Sequence, residues 1–178
     1  MTSGDFQNIK EFLKSVVSQF PVSERDTHVS LVEYSDRISL KFGLQAFKTK
    51  QEVLRAIDRV TASRGWRVET DRVLSEVALA FRPSAGGRQN VPKMLIVLTD
   101  DAWNRAESLK LAADPLLKAG VRVHVVGIGS RVDSDDWKGV VPDAGGFTTV
   151  DKPDDVPSVA VDVGSVIKDA VERSTYRK

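Results

Sequence analysis

KMLIVLTDD, residues 93–101, is the stretch of sequence that decides the fold. Its apolar part, residues 94–98, is unbroken, which is typical of a parallel strand covered by helices on both faces. The run ends at Thr99, Asp100 and Asp101. Because ligands of open parallel sheets bind outside the carboxyl ends of the strands, these carboxylates are predicted to lie at the functional edge of the sheet.

The surrounding sequence predicts a sheet enclosed by helices. Apolar residues recurring three and four positions apart predict helices over 5–20, 51–60, 70–81, 107–119 and 156–174. Further strands are predicted at 27–36, 121–128 and 147–150, and the alternation in 38–42 makes an antiparallel hairpin with the first of them. We therefore predict an α/β, doubly wound, mostly parallel sheet with one antiparallel edge hairpin, in a single domain over residues 1–178.

Composition excludes several classes of protein. The 178 residues hold 26 Lys+Arg and 25 Asp+Glu, so the net charge of +1 provides no field for nucleic acid or an anionic membrane. No apolar run reaches the 18 residues of a membrane span. The chain has no cysteine, which excludes disulfides and thiolate chemistry. Since there is also no P-loop, nucleophile elbow or paired His/acid arrangement, we predict that the chain is not an enzyme.

Several blocks together resemble the von Willebrand factor type A domain. They are FQNIKEFLKSVVSQF, HVSLVEYSDRISLKFGL, QEVLRAIDRV, RGWRVETDRVLSEVALAF, PKMLIVLTDDAWN and KAGVRVHVVGIGS, in the family's order and over nearly the whole chain. The segment FTTVDKPDDVPSV is similar to the last strand and helix entry of the extracellular matrix and adhesion branch. The resemblance implies a Rossmann-like fold and a non-catalytic protein-binding module.

The resemblance also implies a metal-ion-dependent adhesion site. Family members hold a divalent cation with a D-x-S-x-S loop, a threonine and an aspartate, and the partner's carboxylate completes the coordination. Thr70 matches the threonine and Asp100 the aspartate, with Asp101 as a further candidate ligand. The D-x-S-x-S loop has no counterpart in this sequence. Mg²⁺ prefers six oxygens in octahedral geometry, so we expect Mg²⁺ or another divalent cation in a complete domain and weak or no binding in this chain.

The resemblance to the von Willebrand factor type A domain also implies that the family's first, central strand is missing from this sequence. On this reading the domain is incomplete at its amino terminus. Burying five apolar side chains contributes roughly 7 to 15 kcal/mol, which rivals the net stability of a domain. Three explanations stay open. An upstream segment is omitted, a partner chain supplies the strand, or the hairpin pairs directly with the strand at 93–99.

Each candidate residue also has a structural interpretation. Asp100, Asp101 and Thr70 are residue types that commonly cap helices. Trp66 and Trp103, with Arg67 beside them, suit a binding surface for a protein ligand such as collagen or a receptor, or else they pack against neighbouring loops. His28 and His124 are interpreted as structural, and Asp133 as a helix cap.

The resemblance therefore implies an extracellular protein-binding or adhesion module of the matrix, and the balanced charge argues against nucleic acid as a partner. Two alternatives stay open. An intracellular assembly scaffold of the same family would be favoured by a full-length protein lacking a signal peptide and extracellular modules. A nucleotide-dependent enzyme on a similar sheet would be supported by saturable binding of NAD or a nucleotide.

Overall fold

The fold is described from a computed structural model, which covers residues 3–35, 37–62, 70–100, 106–141 and 144–175. In chain order the α-helices are α1 (Ser3–Ser18), α2 (Lys50–Arg59), α3 (Thr70–Ala80), α4 (Ala106–Lys118), α5 (Ser134–Trp137) and α6 (Ala160–Thr175). The strands are β1 (Leu31–Tyr34), β2 (Ile38–Phe42), β3 (Lys93–Thr99), β4 (Val121–Ile128) and β5 (Phe147–Val150). Short 3-10 helices cover Pro83–Ala85, Ala144–Gly146 and Pro153–Val159. No helix in these ranges has the length and apolar character needed to span a membrane.

The parallel sheet has the order β3-β4-β5, and β1 and β2 form a separate antiparallel pair. The predicted α/β class, the mostly parallel sheet and the hairpin are confirmed. The hairpin does not extend the parallel sheet, however. Within the described ranges no backbone hydrogen-bond ladder joins the hairpin to β3. The hairpin therefore does not pair directly with the strand at 93–99 in this structure.

Helices cover both faces of the parallel sheet, as predicted. Successive side chains of β4 point to opposite faces of the sheet. Val121, Val123 and Val125 pack into a core with residues of α3 and α4, including Leu74 and Leu116. The other face of β4 packs against α1 and α6 in a second core, which contains Val126 and Ile128 of β4, Phe12 and Val16 of α1, and Val163 of α6.

A third core joins the hairpin to α1 and α2. Its buried residues are Val17, Phe42, Val53 and Ile57. Leu13 of α1 packs against this core and also against the one formed with α6. The apolar stripe of α1 therefore connects the hairpin to the parallel sheet.

β3 is less buried than its sequence predicts. Only Val97 and Thr99 of this strand are buried and the other five residues are half-buried, whereas β4 is buried at every position except Arg122. The physical reason is position, because β4 lies between two strands and β3 lies at the edge of the described sheet. An unbroken apolar run predicts that both faces are covered, but it carries no information about which strand is central.

β1 runs in the same direction as β3. The guanidinium of Arg88, shortly before β3, donates hydrogen bonds to the carbonyls of Arg25 and Asp26, shortly before β1. At the other end, the Tyr34 hydroxyl donates to the Leu98 carbonyl at 3.0 Å. The two strands therefore begin close to each other and end close to each other. The carboxyl ends of β1 and β3 accordingly lie at the same edge.

Candidate functional site

The carboxyl edge of the parallel sheet brings the last residues of three strands side by side. In the strand register Thr99 of β3 lies opposite Gly127 of β4, and Gly127 lies opposite Thr149 of β5. Thr99 is buried, and Asp100, the next residue, is half-buried. Asp100 thus directly follows a parallel strand, as the sequence predicts, and its side chain is partly accessible to solvent.

Two glycines fix the adjoining end of β4. A Cβ atom on Gly127 would lie 2.9 Å from Cγ1 of Val132, so the chain passes too close there for a larger residue. Gly129 has φ +80°, a left-handed conformation that favours glycine. Its N–H donates to the Val150 carbonyl at 2.7 Å. This hydrogen bond joins the residue after β4 to the last residue of β5.

Tyr34 is a residue at this edge whose role sequence reasoning missed. Its hydroxyl reaches from the end of β1 to the Leu98 carbonyl of β3, two residues before Asp100. It also packs against the core beneath α3 and α4. The signal in the sequence was an aromatic residue with a polar tip at the last position of a strand, a residue type that usually finds a hydrogen-bond partner when buried.

Thr70 is the first residue of α3. Because the chain leads from the end of α3 back to the start of β3, we infer that α3 runs against β3 and that Thr70 is at the same end of the sheet as Asp100. Trp66, Arg67, Asp101 and Trp103 lie outside the described residues, so their predicted roles stay predictions.

The described side chains do not by themselves fit a divalent cation. Mg²⁺ and Ca²⁺ require six or more oxygen ligands, and the described carboxylates that directly follow strands of the parallel sheet at this edge are those of Asp100 and Asp151. Across the described ranges no group of three or more His, Cys, Asp or Glu side chains is arranged to hold a metal. The described residues therefore give no complete ligand set for a divalent cation.

Two other candidate residues have structural environments. His124 is buried in β4, where its Nε2 lies 3.1 Å from Oγ1 of Thr148, and burial lowers the pKa of its imidazole. Asp133 caps α5, because its Oδ1 accepts the Asp135 N–H at 2.9 Å. Both agree with the structural interpretations predicted for them.

Comparison with known proteins gives a family match. The family model of the von Willebrand factor type A domain matches residues 1–160. The chain is 34% identical over 131 residues to the human (Homo sapiens) collagen alpha-6(VI) chain, covering 72% of this chain and 6% of that protein. It is 28% identical over 131 residues to matrilin-1 of Gallus gallus, covering 74% of this chain and 26% of that protein. The chain thus spans a small part of these relatives.

A solved structure with the same fold is that of proximal thread matrix protein 1 from the mussel byssus. It superposes with a TM-score of 0.78 at 24% identity, over 92% of this chain and 41% of that one. A further structure of that mussel protein, with a zinc-occupied MIDAS motif, gives a TM-score of 0.77 at 25% identity, over 90% of this chain and 40% of that one. With the family model matching most of its length and the architecture agreeing, the chain belongs to the von Willebrand factor type A domain family.

Proposed function

We propose that this chain is a non-catalytic module that binds a protein ligand in the extracellular matrix. The observation that supports the proposal is the family match over residues 1–160 together with relatives that are matrix proteins, a collagen VI chain and a matrilin. The ligand class is a matrix protein such as collagen, or a receptor. We further propose an extracellular location on the same basis.

The proposed binding surface is the carboxyl edge of the parallel sheet. It comprises Asp100, the start of α3 at Thr70, and the tryptophans Trp66 and Trp103 with Arg67 between them in the chain. Large aromatic and arginine side chains contribute most of the binding energy in many protein interfaces. Asp100 contributes a half-buried carboxylate to the proposed surface.

A binding assay on immobilised collagen VI tests this proposal. Trp66→Ala and Trp103→Ala are each expected to weaken binding at least about 10-fold, as residues at the centre of an interface do. The matched control is Leu111→Ala, which removes a 76% exposed apolar side chain from α4 and is expected to leave binding unchanged. Equal binding by all variants would contradict the proposed surface.

The metal part of the proposal is that Thr70 and Asp100, with Asp101, form part of a divalent-cation site that this chain does not complete. Calorimetric titration with Mg²⁺ should give weak or no binding for the chain alone. A chain extended at its amino terminus by a strand bearing D-x-S-x-S should bind Mg²⁺ and melt at a higher temperature. Asp100→Asn in the extended chain should abolish the heat of binding, whereas Asp114→Asn, in an exposed ion pair with Lys118, should not. Equal, metal-independent behaviour of both chains would refute this part.

A further inference from the structure

Positive charge is concentrated at the amino edge of the sheet, where β1 and β3 begin, opposite the binding surface proposed above. The cations lie in the segments that precede β1 and β3, at the start of α2, after α3 and in the second half of α6. They are Arg25, Lys50, Arg82, Arg88, Lys93 and Lys168, which together we call the basic edge. Within the described ranges none of them forms an ion pair with a carboxylate. The net charge of +1 for the whole chain therefore hides a local excess of positive charge.

Contacts in the structure bring these cations close to one another. The guanidinium of Arg88 donates hydrogen bonds to the carbonyls of Arg25 and Asp26. Arg25, Arg88 and Lys168 line the same surface groove. The carbonyl of Arg82 accepts the N–H of the residue before Arg88 at 2.9 Å. Cations from separate parts of the chain thus share one surface.

Neutral groups hold several of the cations in place. The ammonium of Lys50 donates to the Ser18 carbonyl at 2.8 Å, and that of Lys93 donates to a backbone carbonyl at 3.3 Å. The Lys168 ammonium lies 5.9 Å from the centre of the Phe20 ring. A carbonyl or an aromatic ring orders a cation without cancelling its charge. The positive charge of the basic edge is therefore positioned but not neutralised by these contacts.

The carboxylates at this edge offset only part of the charge. Glu24 is paired with Lys48, which is not a member of the basic edge. Asp26 and Glu172 line the groove beside the cations. They reduce the positive charge around the groove, but Lys50, Arg82 and Lys93 are not among the groove-lining residues. An excess of positive charge therefore remains along the edge.

Helix dipoles do not account for the basic edge. A cation is favoured in the last turn of a helix and unfavourable in the first. Arg82 follows the end of α3 and is explained in this way, but Lys50 is the first residue of α2. Arg25 and Arg88 lie outside the helices. Most of the basic edge is thus not required by the helices that surround it.

We propose that the basic edge binds a sulfated polysaccharide chain through its sulfate groups. The cations are spread over several neighbouring segments, an arrangement that suits a linear polyanion. Charge-assisted hydrogen bonds from Arg and Lys to oxyanions are the contacts expected. Nucleic acid fits less well, because Lys168 lies over the Phe20 ring of the groove and leaves no aromatic face there for a base to stack on. The choice of a matrix polyanion rests on the proposed extracellular location, whereas the charge of the edge does not.

The test measures binding of a fluorescently labelled, heparin-type dodecasaccharide to the chain by anisotropy. Binding should be saturable at low salt. For three to four sulfate contacts, raising NaCl from about 50 mM to about 200 mM should weaken binding roughly 20- to 100-fold, because bound counterions are released from the polyanion. The control is the same oligosaccharide with its sulfates removed, which should not bind.

Charge reversals locate the site on the molecule. Arg25→Glu and Lys168→Glu, at exposed positions of the basic edge, should each weaken binding about 5-fold or more, since each loses an attraction and adds a repulsion. The matched control is Lys152→Glu, which makes the same change of net charge at an exposed position just after β5, at the carboxyl edge. Its binding should stay within about 2-fold of the parent chain.

A further variant should improve binding. Glu172→Gln removes an exposed carboxylate that lines the groove beside Lys168. It should tighten binding roughly 2- to 5-fold, the size of one exposed charge interaction. Since a folding defect weakens binding, a tighter complex cannot be explained by misfolding.

The proposal is overturned if the desulfated oligosaccharide binds equally well, if Lys152→Glu weakens binding as much as Arg25→Glu, or if Glu172→Gln does not tighten it. Single-stranded DNA or polyglutamate of the same charge, binding at least as tightly at the same salt concentration, would instead assign the edge to nucleic acid or to an acidic protein. Trp66→Ala and Trp103→Ala should bind the oligosaccharide as the parent chain does. Failure of the proposed protein-binding surface is therefore distinguishable from failure of this inference.

Discussion

His124 lies inside β4 with 1% of its surface exposed, which makes its charged form unfavourable in the folded chain. Burial lowers the pKa of the imidazole below its ordinary value of 6.5, against a smaller opposing effect from the backbone of Gly145. In the unfolded chain the ring binds a proton near that ordinary value. The unfolded state therefore binds more protons below this pH, and protonation favours unfolding.

We predict that the contribution of His124 to stability is constant above about pH 6.5 and is lost as the pH falls below it. Urea unfolding at pH values from 7.5 to 5 measures this dependence. His124→Gln keeps a polar side chain near Thr148 without the titration, so its stability should fall less over the same range. Parallel curves for the two proteins would contradict the prediction.

Gly127 provides a prediction about packing at the carboxyl edge. Its missing Cβ leaves room for Val132, whose Cγ1 a methyl group would approach to 2.9 Å. Gly127→Ala should lower the free energy of unfolding by about 1 to 3 kcal/mol through overpacking. In a Val132→Ala background the same change should cost less than in the parent chain, because Cγ1 is removed while the Cβ contact at 3.0 Å remains. Chemical denaturation of the four proteins in this cycle gives the coupling, and additive effects would argue against the clash.

Among the elements, α2 has a beginning that is defined by specific side chains. Thr49 accepts the Glu52 N–H at 3.3 Å, and the Glu52 carboxylate accepts the Thr49 N–H at 3.0 Å, which is a capping box. The hydrogen bonds from the backbone of Lys48 and from the side chain and backbone of Thr49 lower the pKa of the Glu52 carboxyl. We expect Thr49→Ala to destabilise the chain by about 1 kcal/mol and Thr49→Ser to have a much smaller effect. Thermal unfolding compares them, and equal losses would contradict a capping role for the hydroxyl.

Elements whose information is local were predictable from the sequence. Threonine is a common residue type at the N-cap of a helix, as at Thr49. Glycine is favoured where a helix ends in a left-handed conformation, as at Gly120 with φ +72°. The burial of β3 was not predictable, because it depends on which strand neighbours it. An apolar run such as residues 94–98 is the same in a central strand and in an edge strand.

For the whole molecule, α1 makes the hairpin and the parallel sheet one cooperative unit. Leu13 packs against both cores, so its loss weakens both. We predict that Leu13→Ala lowers the free energy of unfolding by about 2 kcal/mol and that unfolding remains a single transition. In a background with Trp66→Phe and Trp103→Phe, the buried Trp137 reports on the parallel sheet by fluorescence, and far-UV circular dichroism reports on all helices. Leu111→Ala, at an exposed position of α4, should change stability by less than about 0.5 kcal/mol. Two separated transitions would contradict the cooperative role of α1.

The candidate site was predictable only in part at this scale. Asp100 could be predicted at the functional edge because it follows an apolar strand, whereas Thr70 was assigned there only through the resemblance to the von Willebrand factor type A domain. The contact between Tyr34 and Leu98 joins positions far apart in the chain, and it depends on the relative position of two sheets. Sequence patterns describe strands and helices one at a time, so they contain no signal for such a contact.

The exposed edge of β3 also has a consequence for handling the protein. Residues 94–98 are apolar, uncharged and free of proline, which is the composition of segments that stack into fibrils when an edge is accessible. Concentrated samples should therefore gain thioflavin fluorescence during storage, and a lysine substituted at Ile96 should suppress it. Covering this edge should therefore keep the chain from assembling through its own strands.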